Sequence, residues 1–476
     1  MNPATGLQLR DDVRVFGDSR REDGRCIISF DGFVNYRAES TVEVSEGRVK
    51  LSTDLFGVQK LYYAFDGAQL LISGRFKEFA DRPVDPALRR LQLLQGFIPY
   101  PFTVLKGVFK SPPGAEILFT RTGPAWQSEY RLDAWKRSLS GPAYDVQNFK
   151  RDFVQAIEDQ KRTCHRNVVI ALSGGFDSML LGHLFREHLA AVSHYAETEA
   201  DADALRERVR GFLPDIPWSV FCADDDIPED AARDYFDAVD EPCCDPAGLA
   251  EYLMLRKLRT SGMAPDDSMV LNGQWADTEF AGDRLPFKEH LLDRFFGGAW
   301  PGLSFRKKVR TDTWTGKIMD YFKSTRTRFY DSYTQHEPLP PEYQRQIDRV
   351  YQFYRDELGL SRANFFGLVD FLLYTTNCSI EKMKTESRAL RIRHLAPFLD
   401  PVVASIAFRI DAKHKVGYRS GKKILKRTFP EVHAGLYRSG AFIPGRFWQR
   451  VAGSRQVSDY FGYFFREWLE RNGKHA

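Results

Sequence analysis

Between residues 20 and 120 the apolar positions come in short bursts, each closed by a turn former. "RCIISF" (25–30), "GRVKLSTD" (47–54), "KLYYAF" (60–65) and "QLLISG" (69–74) alternate or cluster apolar residues as strands do. Asp31-Gly32 and Asp66-Gly67 follow two of them and predict hairpin turns. "SPPGAEILFT" (111–120) predicts a turn running into one more strand, and "LSGPA" (139–143) a linker. Beyond the linker the period changes. Phe149, Phe153, Ala156 and Ile157 recur at helical spacing and predict an amphipathic helix over 146–161. "NVVIAL" (167–172) is a continuous apolar run, the signature of a strand buried on both faces, and "AAVSHYA" (190–196), "WSVFCA" (218–223) and "SMVLNG" (268–273) predict further strands. Helical stretches lie between them: "SMLLGHLFREHL" (178–189), with Leu180, Leu181 and Leu184 inward, and "DADALRERVRGF" (201–212), opened by acidic residues. Strands alternating with helices predict a doubly wound parallel sheet. From about 285 onward the chain reads as mostly helical and rich in aromatics, and no internal repeat is visible.

One of those junctions carries chemistry. In "VVIALSGGFDSMLLGHL" (168–184) a buried strand stops at Ser-Gly-Gly and resumes as a helix after Asp177 and Ser178. Ligands of parallel sheets sit beyond the carboxyl ends of strands. Gly174 and Gly175 let backbone approach a ligand, N–H groups at a helix start attract anions, and the hydroxyls of Ser173 and Ser178 donate to phosphate oxygens. Asp177 would repel a phosphate unless Mg²⁺ lies between them, since Mg²⁺ takes carboxylate, water and phosphate oxygens. No Lys follows the second glycine, so this is not a Walker A loop. The plain alternative is a strand-to-helix turn without a ligand.

Composition narrows the classes. The 476 residues imply two to four domains, or two large ones, and at 43% hydrophobic and 28% charged they read as an ordinary globular protein. Six cysteines without CxxC spacing argue against a disulfide framework or zinc ribbon and for free thiols in a cytoplasmic protein. A net charge of +4 is too even for a nucleic-acid footprint. "SFRKKVR" (304–310) and "SGKKILKR" (420–427) are local basic clusters, either solvated helix faces or partners of a phosphate-bearing ligand. No run is apolar and long enough to span a bilayer, and the first residues lack a signal-peptide core, so neither membrane nor nucleic acid is expected as a partner.

The Ser173–Ser178 stretch resembles the SGGxDS pyrophosphate loop of the ATP-pyrophosphatase superfamily, whose members cleave ATP between the α and β phosphates. Four further stretches resemble class B asparagine synthetases, in family order: "VDEPCCDPAGLAEYL" (239–253), "VLNGQWADTEFAGD" (270–283), "EKMKTESRALRIRHLAPFLDPVVASIA" (381–407) and "SGKKILKRTF" (420–429). "DGRCIISFDGFVNYRAE" (23–39), "DLFGVQKLYYAF" (54–65) and "GFIPYPFTVLKGVFKSPPGAEILF" (96–119) are similar to segments of the family's glutaminase domain. The resemblance implies an α/β protein in two parts. Residues 1–138 would be a truncated, vestigial Ntn-type glutaminase-like domain, β-rich α+β. Residues 145–476 would be an ATP-pyrophosphatase synthetase domain with a doubly wound parallel sheet and a helical C-terminal part.

Glutaminase domains of this family begin with a nucleophilic cysteine. Here position 2 is Asn2, Cys26 aligns inside a strand, and Asp31 occupies the family's oxyanion-hole Asn position, where its charge opposes an oxyanion. The glutaminase is therefore expected to be inactive. Family members that lost it, β-lactam synthetases and lasso-peptide cyclases, join a carboxylate to an amine of the same substrate.

The resemblance also implies roles. ATP would be held by Leu172, Ser173, Gly174, Gly175, Asp177, Ser178, Gly273 and Arg427, Mg²⁺ by Asp177 and Asp277. Lys423 matches the catalytic lysine, with Lys422 one position away as the fallback and Lys426 adding to the ambiguity of register. Gln274 stands where asparagine synthetases have Glu and β-lactam synthetases Tyr, which orients a substrate but is a poor base; Glu241 and Asp245 are candidates for that base. The family's RPKxGFxxP stretch is reduced to "RSGAFIP" (438–444), without its lysine. The expected reaction joins a small molecule or peptide bearing both carboxylate and amine, with a precursor-peptide protease or carrier protein as possible company. Amidotransfer from ammonia or a partner glutaminase, tRNA modification and an enzyme-derived scaffold are the alternatives. Even charge and absent paired cysteines oppose tRNA modification, and the intact loop opposes the scaffold.

Overall fold

A computed structural model describes residues 7–16, 19–122, 125–164, 167–213, 215–263, 267–282, 290–291, 339–417, 421–434 and 445–472. Asn2, "SFRKKVR" and the reduced "RSGAFIP" stretch lie outside the described residues.

The first strands are β1 (Leu7–Arg10), β2 (Val13–Phe16), β3 (Arg20–Glu22), β4 (Arg25–Phe30), β5 (Ala38–Ser45), β6 (Arg48–Ser52), β7 (Tyr62–Asp66), β8 (Gln69–Ser73), β9 (Val108–Lys110), β10 (Glu116–Thr122) and β11 (Ala125–Arg131). They form a five-stranded sheet, β1-β2-β8-β7-β9, and a six-stranded sheet, β11-β10-β6-β5-β4-β3. Alternation decides how they meet: Val13, Val15, Leu70, Ile72 and Tyr63 of the first sheet pack on Cys26, Ile28, Val42, Leu51, Ile117 and Phe119 of the second. Asp66-Gly67 makes the expected tight turn, with Asp66 opposite Gln69 and Gly67 at φ +58°.

Asp31-Gly32 does not. The connection from Phe30 to Ala38 is a longer loop. Val34 N–H donates to the His394 carbonyl (2.8 Å) and His394 N–H to the Gly32 carbonyl (2.7 Å). The loop therefore docks as one more rung on the edge of a distant sheet. Asn35 completes the joint by exchanging hydrogen bonds with the backbone of Ala396.

That distant sheet is parallel throughout. It comprises β12 (Val168–Ala171), β13 (Leu189–Ala196), β14 (Trp218–Cys222), β15 (Met269–Leu271) and β16 (Arg393–Leu395), in the order β14-β13-β12-β15-β16. The chain moves outward one way from β12 to β14, then returns and continues the other way from β15. The order thus reverses between β12 and β15, the crevice where sheets of this kind bind ligands. Around the sheet run helices including Phe149–Lys161, Phe176–Leu184, Glu199–Val209 and Gly248–Thr260. A π-helical stretch, Phe371–Ser379, joins helices Arg362–Asp370 and Ile380–Leu390. One apolar cluster runs from Phe33, Phe56 and Tyr100 through Val168 and Leu271 to Trp468. The whole is a mixed α/β protein.

Candidate active site

Two turns face each other at the reversal point. The first leaves β12 at Leu172, whose N–H donates to the Ser193 carbonyl (2.9 Å) and whose carbonyl accepts from His194 Nδ1 (2.7 Å). Both backbone groups expected to meet a nucleotide are thus tied into the sheet. Gly174 then takes φ +75°, and a Cβ there would stand 2.8 Å from Leu205, so only glycine fits this corner. Gly175 begins helix Phe176–Leu184 in extended backbone, and no side chain caps it, leaving N–H groups directed outward from the helix start. Ser173 Oγ lies 3.1 Å from Ser178 Oγ, and Ser178 donates to the Gly175 carbonyl, so the two hydroxyls brace the turn.

The second turn leaves β15 through Asn272 and Gly273. A Cβ on Gly273 would lie 3.2 Å from Asp177 Cβ and from Ser178 N, which shows how tightly the turns abut. The Gln274 N–H donates to Asn272 Oδ1 (2.9 Å). Trp275, at φ +77°, launches the short helix Ala276–Phe280, and Ala281 closes it at φ +57°. That helix presents Asp277. Lys422, also left-handed at φ +58°, donates its N–H to the Phe280 carbonyl (3.1 Å). Three of the five described non-glycine residues with positive φ therefore frame this corner. Such strain persists where surrounding structure over-determines it, and it concentrates at functional sites.

The corner is electrostatically unusual. The Lys422 amine is ion-paired with Asp177 Oδ2 and lies 2.6 Å from Asp277 Oδ1. Burial, reinforced by the Asp277 charge, lifts the Asp177 carboxyl to about 6 despite the lysine. Burial pulls the Lys422 amine down, but the two carboxylates prevail and hold it above the usual lysine value. Asp177 Oδ1 is buried, and among the described residues no group donates a hydrogen bond to it. Two carboxylates, one with an oxygen to spare, beside a turn of hydroxyl and N–H groups, are a donor set that suits Mg²⁺ completed by phosphate and water. Among the described residues no group of three or more His, Cys, Asp or Glu converges as a self-sufficient metal cage.

The structure brings together Ser173, Gly174, Gly175, Asp177, Ser178, Gly273 and Asp277, and corrects other expectations. Lys423 donates to the Lys413 carbonyl (3.0 Å), away from the carboxylates. The lysine in the corner is Lys422, because helix Lys423–Thr428 begins one residue later and Lys422 turns inward ahead of it. Arg427 is exposed, whereas Lys426, one turn beyond Lys422, lies over the Phe176 ring and acts on Asp177 through its charge. Glu241 is not free to serve as a base. It accepts from Lys110 Nζ (2.6 Å), Lys60 Nζ (3.0 Å) and the Tyr62 hydroxyl (3.0 Å) in a buried setting. Burial favours its neutral form, but the two lysines prevail and draw its carboxyl below the ordinary range. Asp245 accepts from Ala247 N–H and the Tyr374 hydroxyl and lies 3.6 Å from Lys382.

The sequence model of the asparagine synthase family matches residues 148–433. Among solved structures, one similar chain is glutamine phosphoribosylpyrophosphate (PRPP) amidotransferase from B. subtilis complexed with ADP and GMP. It is 12% identical over 49% of this chain and 48% of that one, with a TM-score of 0.13, so the chain spans about half the length of that relative. No curated protein matches the sequence.

Proposed function

The chain belongs to the asparagine synthase family, and from that premise we propose that this ATP-dependent carbon–nitrogen ligase forms its amide within one substrate. A substrate carboxylate oxygen attacks the α-phosphorus of ATP, and the bond to the β-phosphate oxygen breaks, giving an acyl-adenylate and pyrophosphate. An amine then attacks the acyl carbon and leaves an amide, AMP and a proton. Residues 145–476 carry this chemistry in a doubly wound pyrophosphate-loop domain, and residues 1–138 are an inactive glutaminase-like remnant.

The observation that carries the reading is the abutting pair of turns at the reversal point, with Asp177 and Asp277 on either side of Lys422. Ser173, Ser178 and the N–H groups at the start of helix Phe176–Leu184 hold the phosphates. Asp177 and Asp277 would hold Mg²⁺, which when bound offsets charge on the phosphates. Lys422 places its ammonium where negative charge grows on the leaving pyrophosphate and on the adenylate. Gln274, on the turn that touches Asp177, orients the incoming substrate without taking its proton.

Ring closure, of the kind that makes a macrolactam in a lasso peptide or a β-lactam, is favoured by the state of the N-terminal sheets. Cys26 is the one cysteine before residue 164, and it is packed between the sheets on β4. The burial of Cys26 among the described residues of these sheets supports an amine that comes from elsewhere. The second reading, amidotransfer from free ammonia or a partner glutaminase, needs the same site. Pyrophosphate release with candidate substrates separates the two. Release from a substrate bearing both groups, without glutamine or ammonia, is the expected result. Strict dependence on ammonia would replace ring closure by amidotransfer.

A further inference from the structure

Lys422 sits between the two carboxylates as a divalent cation would. Its amine meets one oxygen of Asp177 and one of Asp277, and its side chain is largely shielded from solvent. Without an intervening positive charge, two carboxylates brought this close by the abutting turns would repel. The backbone that sets this arrangement has no room to yield. A Cβ on Gly421 would lie 2.1 Å from the Ala281 carbonyl, and one on Gly282 would lie 1.6 Å from Asp277 Oδ1. The Lys422 N–H is anchored on Phe280. The lysine's four-carbon stem can change position by rotation about its single bonds while this backbone stays fixed.

We infer that Lys422 is a resident counter-ion. In the nucleotide-free protein its ammonium holds Asp177 and Asp277 in register, and it leaves them for the phosphates when a divalent cation takes over the carboxylates. Metal loading and delivery of the lysine are then one event. The ammonium is withheld from the phosphate corner until the metal arrives, and the carboxylates never face each other uncompensated. This rests on the reading of the corner as the ATP site. The exposed Asp277 carboxylate gives the incoming cation a foothold, and the buried Asp177 Oδ1, unpartnered among the described residues, is there for it to take as the lysine departs. Lys426 acts on Asp177 through its charge, which makes it the control for a positive charge near the pair.

Calorimetric titration of the nucleotide-free protein with Mg²⁺ tests this without turnover. Wild type should bind Mg²⁺ weakly, because the metal must displace an ammonium. Lys422→Met should bind at least about tenfold more tightly, while Lys422→Arg and Lys426→Met stay within a few-fold of wild type. Thermal unfolding gives a second readout: Lys422→Met should melt lower than wild type without Mg²⁺ and gain more on its addition. Lys422→Gln serves if the Met variant does not fold. Equal or weaker Mg²⁺ binding by the Met or Gln variant would overturn the counter-ion role, as would an equal gain in Lys426→Met. Should Asp177→Asn keep wild-type affinity for a non-hydrolysable Mg²⁺–ATP analogue, the ATP-site reading itself would fall, and the exchange with it.

Discussion

Lys422 holds a left-handed backbone that costs a non-glycine residue on the order of 1 kcal/mol or more, and it does so at the meeting point of two carboxylates. Nothing in the string "SGKKILKR" reveals which lysine turns inward. The choice is made where the helix starts, and the helix starts at Lys423. The sequence therefore leaves the choice between Lys422 and Lys423 open, and the structure places Lys422 at the carboxylates. Lys422→Ala is expected to slow pyrophosphate release by about 10²–10³-fold, the scale of losing one pre-set charge partner. Lys423→Ala should retain most of the rate, since its amine serves a backbone carbonyl outside the corner. Stopped-flow or coupled assays of the two variants decide between the neighbours. Gly282→Ala should act through Asp277, because the new methyl would occupy the space of its carboxylate oxygen. It is expected to weaken binding of Mg²⁺–ATP, measured by titration.

The elements were legible to the degree that their own residues specify them. "VVIA", "SVFC" and "MVL" are buried on both faces, so continuous apolar runs announce β12, β14 and β15. "RHL" carries no such pattern, and β16 exists because β15 offers it a parallel edge. Glu241 was legible as an acid in "VDEPCCDP" but not as a charge held by two lysines, since Lys60 and Lys110 lie 181 and 131 positions away in sequence. These lysines come from the loop before β7 and from β9. They meet Glu241 and, for Lys60, Glu381 (3.2 Å) on helix Ile380–Leu390, where Lys384 adds a third amine 3.0 Å from Glu381. Removing one member strands buried charge, so Lys60→Met should destabilise the fold by about 3–5 kcal/mol in denaturant titration. Burial opposes the charge on Glu381, but Lys384, Lys60 and Arg388 prevail and draw its carboxyl from the ordinary 4.5 to about 2. A lowered acid stabilises fully above its unfolded value, and that stability fades as pH falls from 4.5 toward 2. Glu381→Gln should flatten this part of the melting-temperature profile against pH.

At the scale of the molecule, the N-terminal sheets and the parallel sheet are joined by three kinds of bond. The Gly32–Val34 loop adds a rung beside His394, buried lysines cross to Glu241 and Glu381, and a single apolar cluster runs from Phe33 to Trp468. The N-terminal sheets thus supply charge and surface without which the parallel-sheet part would expose both. Residues 145–476 expressed alone are expected to aggregate or to lack a cooperative melting transition, by calorimetry. The central claim concerns the reversal point between β12 and β15, and a crystal structure with Mg²⁺ and a non-hydrolysable ATP analogue tests it most directly. The triphosphate is expected against Ser173–Ser178, with the metal between it and Asp177 and Asp277. A nucleotide bound elsewhere, with Lys422 still bridging the two carboxylates, would contradict it.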